Sequence, residues 1–272
     1  MRSPRSLTTP DSQSCRPTFA SPTLDHSPIA CRTGAGTIAY PTAKENSMLN
    51  RPAPPHFQGF DQLGQFRNHE RKLPHWRQPG ATYFVTFRLA DSLPRNVLDY
   101  LARVRHELYR LGSDPAANEL RERYERESTQ QIETALDEGH GCCVLRDSDN
   151  ARIVRECLEY GLGERHWLGC AVIMSNHCHI VIRPLGTFGL DELLQKIKGI
   201  SARRINQRSG TQGSLWEAES YDRIIRDEEH LYRVIQYIGR NPTKCGQPRN
   251  PETCWVHPLW IDAGWNFEEL LP

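Results

Sequence analysis

Two histidines separated by one residue are the side chains whose types and spacing most directly suggest chemistry. His177 and His179 lie in the stretch 170–184, which is predicted to form two short buried strands joined by a polar corner at Ser175 and Asn176. Residues i and i+2 of a strand point to the same face of a sheet, so both imidazoles are expected on one face. Two imidazoles held on a rigid strand make half of a metal site.

A second group of candidate residues lies on a helix much later in the chain. Its apolar stripe follows the i, i+3, i+4, i+7 pattern and consists of Leu231, Val234, Ile235 and Ile238. Tyr237 and Asn241 are four residues apart, so they share one face at the edge of this stripe. His230 lies on the same side two turns earlier, and a solvent-facing histidine is the alternative interpretation. A tyrosine beside a carboxamide at the rim of the core can face a site on the sheet.

The elements that must position these residues indicate a small α+β fold. A strand near 81–89, a helix from about 94 to 111, a strand pair near 166–183 and a helix over 190–207 are predicted, followed by a short strand and the helix capped by Asp227. This last helix is expected to end at Asn241 and Pro242. We expect a ferredoxin-like antiparallel sheet packed with helices, with a helical insertion over about 95–140 in the first crossover. The charged part of this insertion, about 115–138, is expected to be exposed.

Composition limits the class of protein and its organisation. The net charge of +1 excludes global polyelectrolyte behaviour, so a nucleic-acid surface has to come from local clustering of charge. The nine cysteines include no Cys-x-x-Cys pair, which favours buried free thiols in a reducing cytoplasm. No apolar run approaches the roughly 18 residues that span a bilayer, so no membrane association is expected.

The chain divides into three segments by composition. Residues 1–50 are rich in Ser, Thr and Pro and are predicted to be disordered, with Met48 as a candidate true start. Residues 70–247 carry the periodic elements of one domain. Residues 248–272 hold three tryptophans among prolines and are predicted to form an irregular C-terminal extension.

Basic residues cluster on the helix that follows the strand pair. The cluster has no acidic residue between its first and last members and consists of Lys196, Lys198, Arg203, Arg204 and Arg208. It suits a phosphate-contacting surface beside the site, and a solvated helix face is the alternative. Trp216 is a candidate for stacking on a base, although a large aromatic is more often part of the core.

Three sequence blocks resemble one known family. His177-Cys178-His179 is similar to the HUH signature of single-tyrosine transposases, and the surrounding Met-Ser-Asn-His-Cys-His is similar to that family's Met-Pro-Asn-His-Val-His. The stretches beginning at Tyr221 and at Tyr237, the latter reading Tyr-Ile-Gly-Arg-Asn-Pro, resemble the downstream blocks of REP-associated tyrosine transposases. The resemblance covers about residues 73–246, with Ser175 replacing the usual Pro.

The resemblance implies a metal-dependent single-strand DNA endonuclease and strand transferase that acts on hairpin-associated DNA of palindromic repeats. By this resemblance Tyr237 is the nucleophile that forms a 5′-phosphotyrosine, and His177 and His179 hold Mg²⁺ or Mn²⁺. Asn241 is a candidate third ligand, although an insertion-sequence branch of the family has Gln at this position. A cytoplasmic, nucleoid-associated monomer or homodimer is expected.

Two alternatives to this function stay open. One is a catalytically silent regulator that retains the fold and binds DNA hairpins. The other is a zinc-bound structural module using His177, His179 and cysteines, which the absence of paired cysteine spacing disfavours.

Overall fold

The computed structural model describes residues 51–65, 67–70, 74–112, 115–247 and 249–268. The segment 1–50, which the composition predicts to be disordered, and the candidate start at Met48 lie outside these residues.

The strands and helices follow one another in an order close to the predicted one. The strands are β1 (Arg67–Glu70), β2 (Pro74–Arg77), β3 (Tyr83–Arg88), β4 (His166–Ile173), β5 (His177–Pro184), β6 (Tyr221–Ile224) and β7 (Cys254–Val256). The α-helices are α1 (Arg95–Leu111), α2 (Asn118–Asp137), α3 (Ser148–Glu159), α4 (Leu190–Ser209), α5 (Glu228–Lys244) and α6 (Pro258–Asp262). Among these helices, none combines the length and apolar character needed to cross a membrane.

The main sheet has five antiparallel strands in the order β6-β3-β5-β4-β7. Without β7, the four remaining strands have the order 4-1-3-2 along a β-α-β-β-α-β chain, in which α3 and α4 are the crossover helices. This is the ferredoxin-like arrangement, so the predicted fold is confirmed. Strands β1 and β2 form a separate antiparallel hairpin.

The alternation of side chains along β5 separates two apolar layers. On one face, Cys178, Ile180 and Ile182 join buried residues of β3, α3 and α4. On the other face, Val181 and Phe84 pack against the apolar stripe of α5. Because β5 is covered on both sides, its residues read as a nearly continuous apolar run in which the two histidines stand out.

Helix α5 begins as predicted and ends later than predicted. The Asp227 side chain accepts a hydrogen bond from the His230 backbone N–H and caps the helix. The expectation that Asn241 and Pro242 end the helix is wrong, because both lie inside it and are buried. Proline removes one helical N–H, but the Cys245 N–H still donates to the Asn241 carbonyl at 3.1 Å and continues the turn.

The helical insertion is less exposed than its charge pattern predicts. Helix α1 and the last turns of α2 pack through Leu93, Val97, Ala135 and Leu136. On the exposed part of α2, Arg123 and Arg126 pair with glutamates one turn away on the same helix. The C-terminal half of α2 turns one face towards the main sheet, where it forms part of the site described below.

The C-terminal segment, expected to be irregular, adds a strand to the sheet and a short helix. Strand β7 pairs with β4, and Trp260 of α6 is buried against the same face as α5. At Gly169, the site of a register shift in β4, an added Cβ would lie 2.1 Å from the Trp260 ring. Glycine therefore permits the close approach of the tryptophan that holds this segment to the domain.

Candidate active site

The first residues of β5 bring two imidazole nitrogens to one point. His177 and His179 are both buried on the α5 face of the sheet, and their Nε2 atoms lie 3.0 Å apart. The two rings are nearly perpendicular, at 80°. The i, i+2 spacing therefore places both imidazoles on one face, as the strand geometry predicts.

In each histidine the other ring nitrogen, Nδ1, takes part in a hydrogen bond. Asn176 Oδ1 lies 2.8 Å from His177 Nδ1, while Asn176 Nδ2 donates to the His140 carbonyl at 3.1 Å and so fixes the amide orientation. His177 Nδ1 must therefore be the protonated nitrogen, which leaves Nε2 as an acceptor. Thr86 Oγ1, on the neighbouring strand, lies 2.8 Å from His179 Nδ1. These partners orient both rings.

Burial keeps both imidazoles neutral, which is the form that binds a metal. It lowers the pKa of His177 to about 3. Burial also lowers the pKa of His179 well below its ordinary value, and the proximity of His177 and of the positive Lys244 acts in the same direction. Since His177 Nε2 is an acceptor, His179 Nε2 is the donor in the contact between them. To hold a cation through Nε2, His179 would have to carry its proton on Nδ1 instead, and the Thr86 hydroxyl could then accept a hydrogen bond from that N–H.

The donor set fits two ligands of a first-row divalent ion. Among the described residues, no group of three or more His, Cys, Asp or Glu side chains is placed to hold a metal. Asn241, the predicted third ligand, is buried and donates its Nδ2 to the Tyr237 carbonyl at 3.1 Å. Because Asn241 lies inside α5, its amide folds back on the helix, and it does not line the pocket that contains the histidines.

A pocket on the α5 face joins the histidines to Tyr237. The side chains lining it come from β3, α2, β5, β6 and α5 and are Phe84, Thr86, Thr129, Ile132, Glu133, Leu136, Asp137, His177, His179, Tyr221 and Tyr237. The Tyr237 ring packs edge-on against His179, with centroids 5.6 Å apart at 70°. Helix α5 thus docks over the His-bearing face, as the sequence-based account of the site requires.

Carboxylates of α2 form the wall of the pocket opposite the sheet. The Glu133 carboxylate lines the pocket together with Tyr237, and its negative charge acts to raise the pKa of the phenol. Asp137, one turn later, pairs with Lys244 and accepts a 3.7 Å hydrogen bond from Cys245 Sγ, which ties α2 to the end of α5. Sequence reasoning missed both carboxylates because it assigned α2 to solvent. In the sequence, the one indication of a buried face on α2 is that both carboxylates recur at helical spacing beside Ile132 and Leu136.

The phenol of Tyr237 is held in its protonated form. Burial raises its pKa well above the ordinary value, and the negative charges of Glu133 and Asp137 raise it further. A buried phenol of this kind is a poor nucleophile until a base or a cation acts on it.

The basic residues predicted to contact phosphate do not lie beside this pocket. Helix α4 packs on the opposite face of the sheet, together with α3, because its apolar stripe fits the crossover position of the fold. Three of the five side chains form ion pairs: Lys196 with Glu192, Arg204 with Glu156, and Arg208 with Asp147 and Asp149. Lys198 donates to the Ala218 carbonyl at 2.8 Å, and Arg203 is exposed. The expected position beside the site is therefore wrong.

Two further candidate residues belong to the structure rather than the pocket. Trp216 is buried against Phe87, and its Nε1 donates to Ser201 Oγ at 3.0 Å, so it is a core residue and not a free stacking platform. His230 is buried, and its Nδ1 accepts from the Arg226 backbone N–H at 3.1 Å. It caps the start of α5 and is neither solvent-facing nor part of the pocket.

Comparison with known proteins agrees with this geometry. Residues 146–241 match the family model described as "Transposase IS200 like". Residues 146–241 are therefore similar to IS200-like transposases. The matched segment includes the His pair and Tyr237, so the family relationship indicates a DNA-processing transposase role. No curated protein sequence matches the chain.

Among the solved structures that match the chain, one is described as "Structure of the REP associates tyrosine transposase bound to a REP hairpin". The two share 13% sequence identity over 68% of this chain and 76% of that chain, with a TM-score of 0.35. At this distance the match does not assign a ligand to the chain.

Proposed function

We propose that the protein is a metal-dependent single-strand DNA endonuclease and strand transferase of the REP-associated tyrosine transposase type. The observation that carries this proposal is the packing of Tyr237 on His179 in one pocket, within a transposase domain. The substrate class is single-stranded or hairpin DNA of palindromic repeats, as the sequence blocks around Tyr221 and Tyr237 imply. The protein acts in the cytoplasm, at the nucleoid, as a monomer or homodimer.

In the proposed reaction the Tyr237 oxygen attacks the phosphorus of a DNA phosphodiester. An O–P bond forms between the tyrosine and the 5′-phosphate as the phenol loses its proton to solvent. The P–O3′ bond breaks, and the 3′ oxygen takes a proton from solvent to leave as a 3′-hydroxyl. The hydrogen bonds that His177 Nδ1 and His179 Nδ1 make with Asn176 and Thr86 orient the two rings, whose Nε2 atoms lie 3.0 Å apart in the wall of the pocket. A divalent ion held by these two nitrogens, Mg²⁺ or Mn²⁺, would polarise the scissile phosphate and offset the charge that develops on it.

The proposed catalytic unit extends over residues 70–247 and is larger than the segment that matches the family. Thr86 of β3 and Glu133 of α2 both lie outside residues 146–241, and both line the pocket. The strand that pairs with β5 and the inserted helices therefore belong to the same unit as the His pair. A fragment limited to residues 146–241 is expected to lack activity.

The proposal is tested by incubating the full chain with labelled hairpin DNA and Mn²⁺. We expect a covalent protein–DNA adduct that survives denaturing electrophoresis and that the Tyr237→Phe variant does not form. This substitution removes only a hydroxyl, so circular dichroism should show an unchanged fold. An adduct of undiminished yield in Tyr237→Phe would refute the assignment of the nucleophile.

A catalytically silent hairpin-binding regulator is the second candidate function. The acidic wall formed by Glu133 and Asp137 favours it, because two carboxylates repel a phosphate that enters without a cation. Such a protein would bind hairpin DNA with an affinity that falls steeply with salt. It would form no adduct with Mg²⁺ or Mn²⁺, which separates it from the transposase.

A further inference from the structure

Helix α2 covers the pocket that holds Tyr237 and the two histidines. The α2 side chains that line the pocket recur at helical spacing on one face and are Thr129, Ile132, Glu133, Leu136 and Asp137. Beneath this face His177 is 1% exposed and His179 is 3% exposed. A phosphodiester with its flanking nucleotides is far larger than a side chain, so α2 blocks its path to the histidines.

The insertion that carries α2 is attached to the domain at a narrow neck. Asp91 precedes α1 and Cys142 follows α2, and the Cys142 backbone N–H donates to the Asp91 carboxylate at 2.7 Å. Between them Gly141 has a φ of +89°, and an added Cβ would lie 2.7 Å from the Asp91 carbonyl oxygen, so only glycine fits this crossing. The two helices share an apolar cluster that is separate from both layers of the main sheet and consists of Leu93, Val97, Ala135 and Leu136. Helices α1 and α2 therefore form one unit that is joined to the domain at its base.

Two contacts fasten the last turn of α2 to the end of α5. The Asp137 carboxylate forms an ion pair with Lys244 and accepts a 3.7 Å hydrogen bond from Cys245 Sγ. The Lys244 side chain is 54% exposed, and an ion pair with such access to water is weak enough to break and re-form. These contacts hold the cover over the pocket without fixing it permanently.

We propose that α1 and α2 form a gate over the Tyr237 pocket, latched by the Asp137–Lys244 ion pair, and that DNA enters when the latch opens. The inference rests on the proposed function and adds to it a step of substrate entry. A DNA phosphate that reaches Lys244 competes with Asp137 for the ammonium group. Because this contact exists only in the open form, DNA itself shifts the gate towards opening.

The first test locks the gate with a disulfide in the full chain. Asp137→Cys places a thiol next to the native Cys245, whose Sγ lies 3.7 Å from the Asp137 carboxylate. With hairpin DNA and Mn²⁺, the oxidised variant should form adduct roughly 100-fold more slowly than its reduced form, since the rate follows the fraction of open molecules. Asp137→Ser is the matched control, because it also loses the carboxylate but gains no thiol, and oxidation should leave its rate unchanged.

A second test measures opening without DNA or metal. Diethyl pyrocarbonate is an uncharged reagent that modifies neutral imidazoles, and peptide mass spectrometry locates the modified residues. His177 and His179 should be modified about two- to five-fold faster in Asp137→Asn than in the parent, because the variant loses the ion pair of the latch. Their modification should nearly stop in the oxidised Asp137→Cys chain. The exposed His106 of α1 is the internal control, and its rate should be the same in all three chains.

The two tests separate failure of the gate from failure of the proposed function. An oxidised Asp137→Cys chain that forms adduct as fast as its reduced form would overturn the gate and leave the transposase function intact. If the parent forms no adduct, the proposed function fails, and the modification rates still decide on the gate. Equal modification of His177 and His179 in the parent and in Asp137→Asn would overturn the gate, whether or not the disulfide forms.

Discussion

The two faces of β5 differ in what covers them, although their residues alternate along one strand. Cys178, Ile180 and Ile182 face α3 and α4 and lie in an entirely apolar layer. His177 and His179 lie on the other face, beyond the apolar stripe of α5, where the charged insertion helix α2 covers them. One strand thus supplies both the centre of the core and the reactive end of the pocket.

The difference shows how the fold tolerates a buried pair of imidazoles. A polar group in an apolar layer is costly unless it is hydrogen bonded. On the pocket face, Asn176 and Thr86 satisfy one nitrogen of each ring, and the remaining nitrogens meet each other. Substitutions on the pocket face should therefore change chemistry, whereas those on the α3–α4 face should change stability.

The largest effect is expected from the pocket face itself. His179→Ala removes one of the two imidazole ligands, so adduct formation should fall on the order of 1,000-fold, as when a group that stabilises transition-state charge is lost. Single-turnover kinetics with Mn²⁺ measures the rate, and calorimetry measures Mn²⁺ binding. Retention of both would show that the two faces do not differ as described.

A smaller effect is expected from Thr86, which contacts His179 from the neighbouring strand. Thr86→Val keeps the side-chain shape but removes the hydroxyl next to His179 Nδ1, and Mn²⁺ affinity should fall roughly 10- to 100-fold. Thr82→Val is the matched control, because the Thr82 hydroxyl accepts from the Gln58 backbone N–H away from the pocket. Equal losses of affinity in the two variants would contradict a positioning role for Thr86.

Substitutions on the opposite face of β5, which packs on α3 and α4, should change stability and not the adduct rate. Ile180 is fully buried in the α3–α4 layer, and Ile180→Val should lower the free energy of unfolding by about 1 kcal/mol. Denaturant titration measures this loss. The adduct rate of the folded variant should stay within about two-fold of the parent, and a drop comparable to that of His179→Ala would remove the distinction between the faces.

The smallest effect concerns His230, a buried imidazole on the α5 side but outside the pocket. Burial lowers its pKa to about 4 from an ordinary value of 6.5. The unfolded chain therefore binds more protons between these two values, and the contribution of His230 to stability is lost as the pH falls through this window. From pH 7 to pH 5.5, His230→Gln should lose about 1 kcal/mol less than the parent. An identical pH dependence would show that His230 is accessible to protons in the folded state.

Sequence reasoning recovered the parts of the site that local pattern determines. Strand alternation placed His177 and His179 on one face, helical spacing placed Tyr237 at the rim of α5, and Asp227 marked the start of that helix. It failed for Pro242, because buried packing holds a helical turn that proline disfavours locally. Strand alternation and helical spacing each describe a single element, and the positions of His177, His179 and Tyr237 on their elements depend on nothing more.

The parts that were missed depend on docking between elements. Thr86 reaches His179 only through the register of β3 against β5, and Glu133 lines the Tyr237 pocket only because α2 folds back over the sheet. The basic face of α4 was misplaced for the same reason, since the pattern shows which side of a helix is apolar but not which face of the sheet it covers. No spacing within a single segment contains this information.

The most direct test of the account maps the residue that becomes linked to DNA. Trypsin separates the three nearby candidates, because Tyr221, Tyr232 and Tyr237 fall in the peptides 209–223, 227–233 and 234–240. After reaction with hairpin DNA and Mn²⁺ and nuclease trimming, mass spectrometry should find the nucleotide mass on peptide 234–240 alone. The same mass on peptide 209–223 or 227–233, or on none of the three, would contradict the assignment of Tyr237 as the nucleophile.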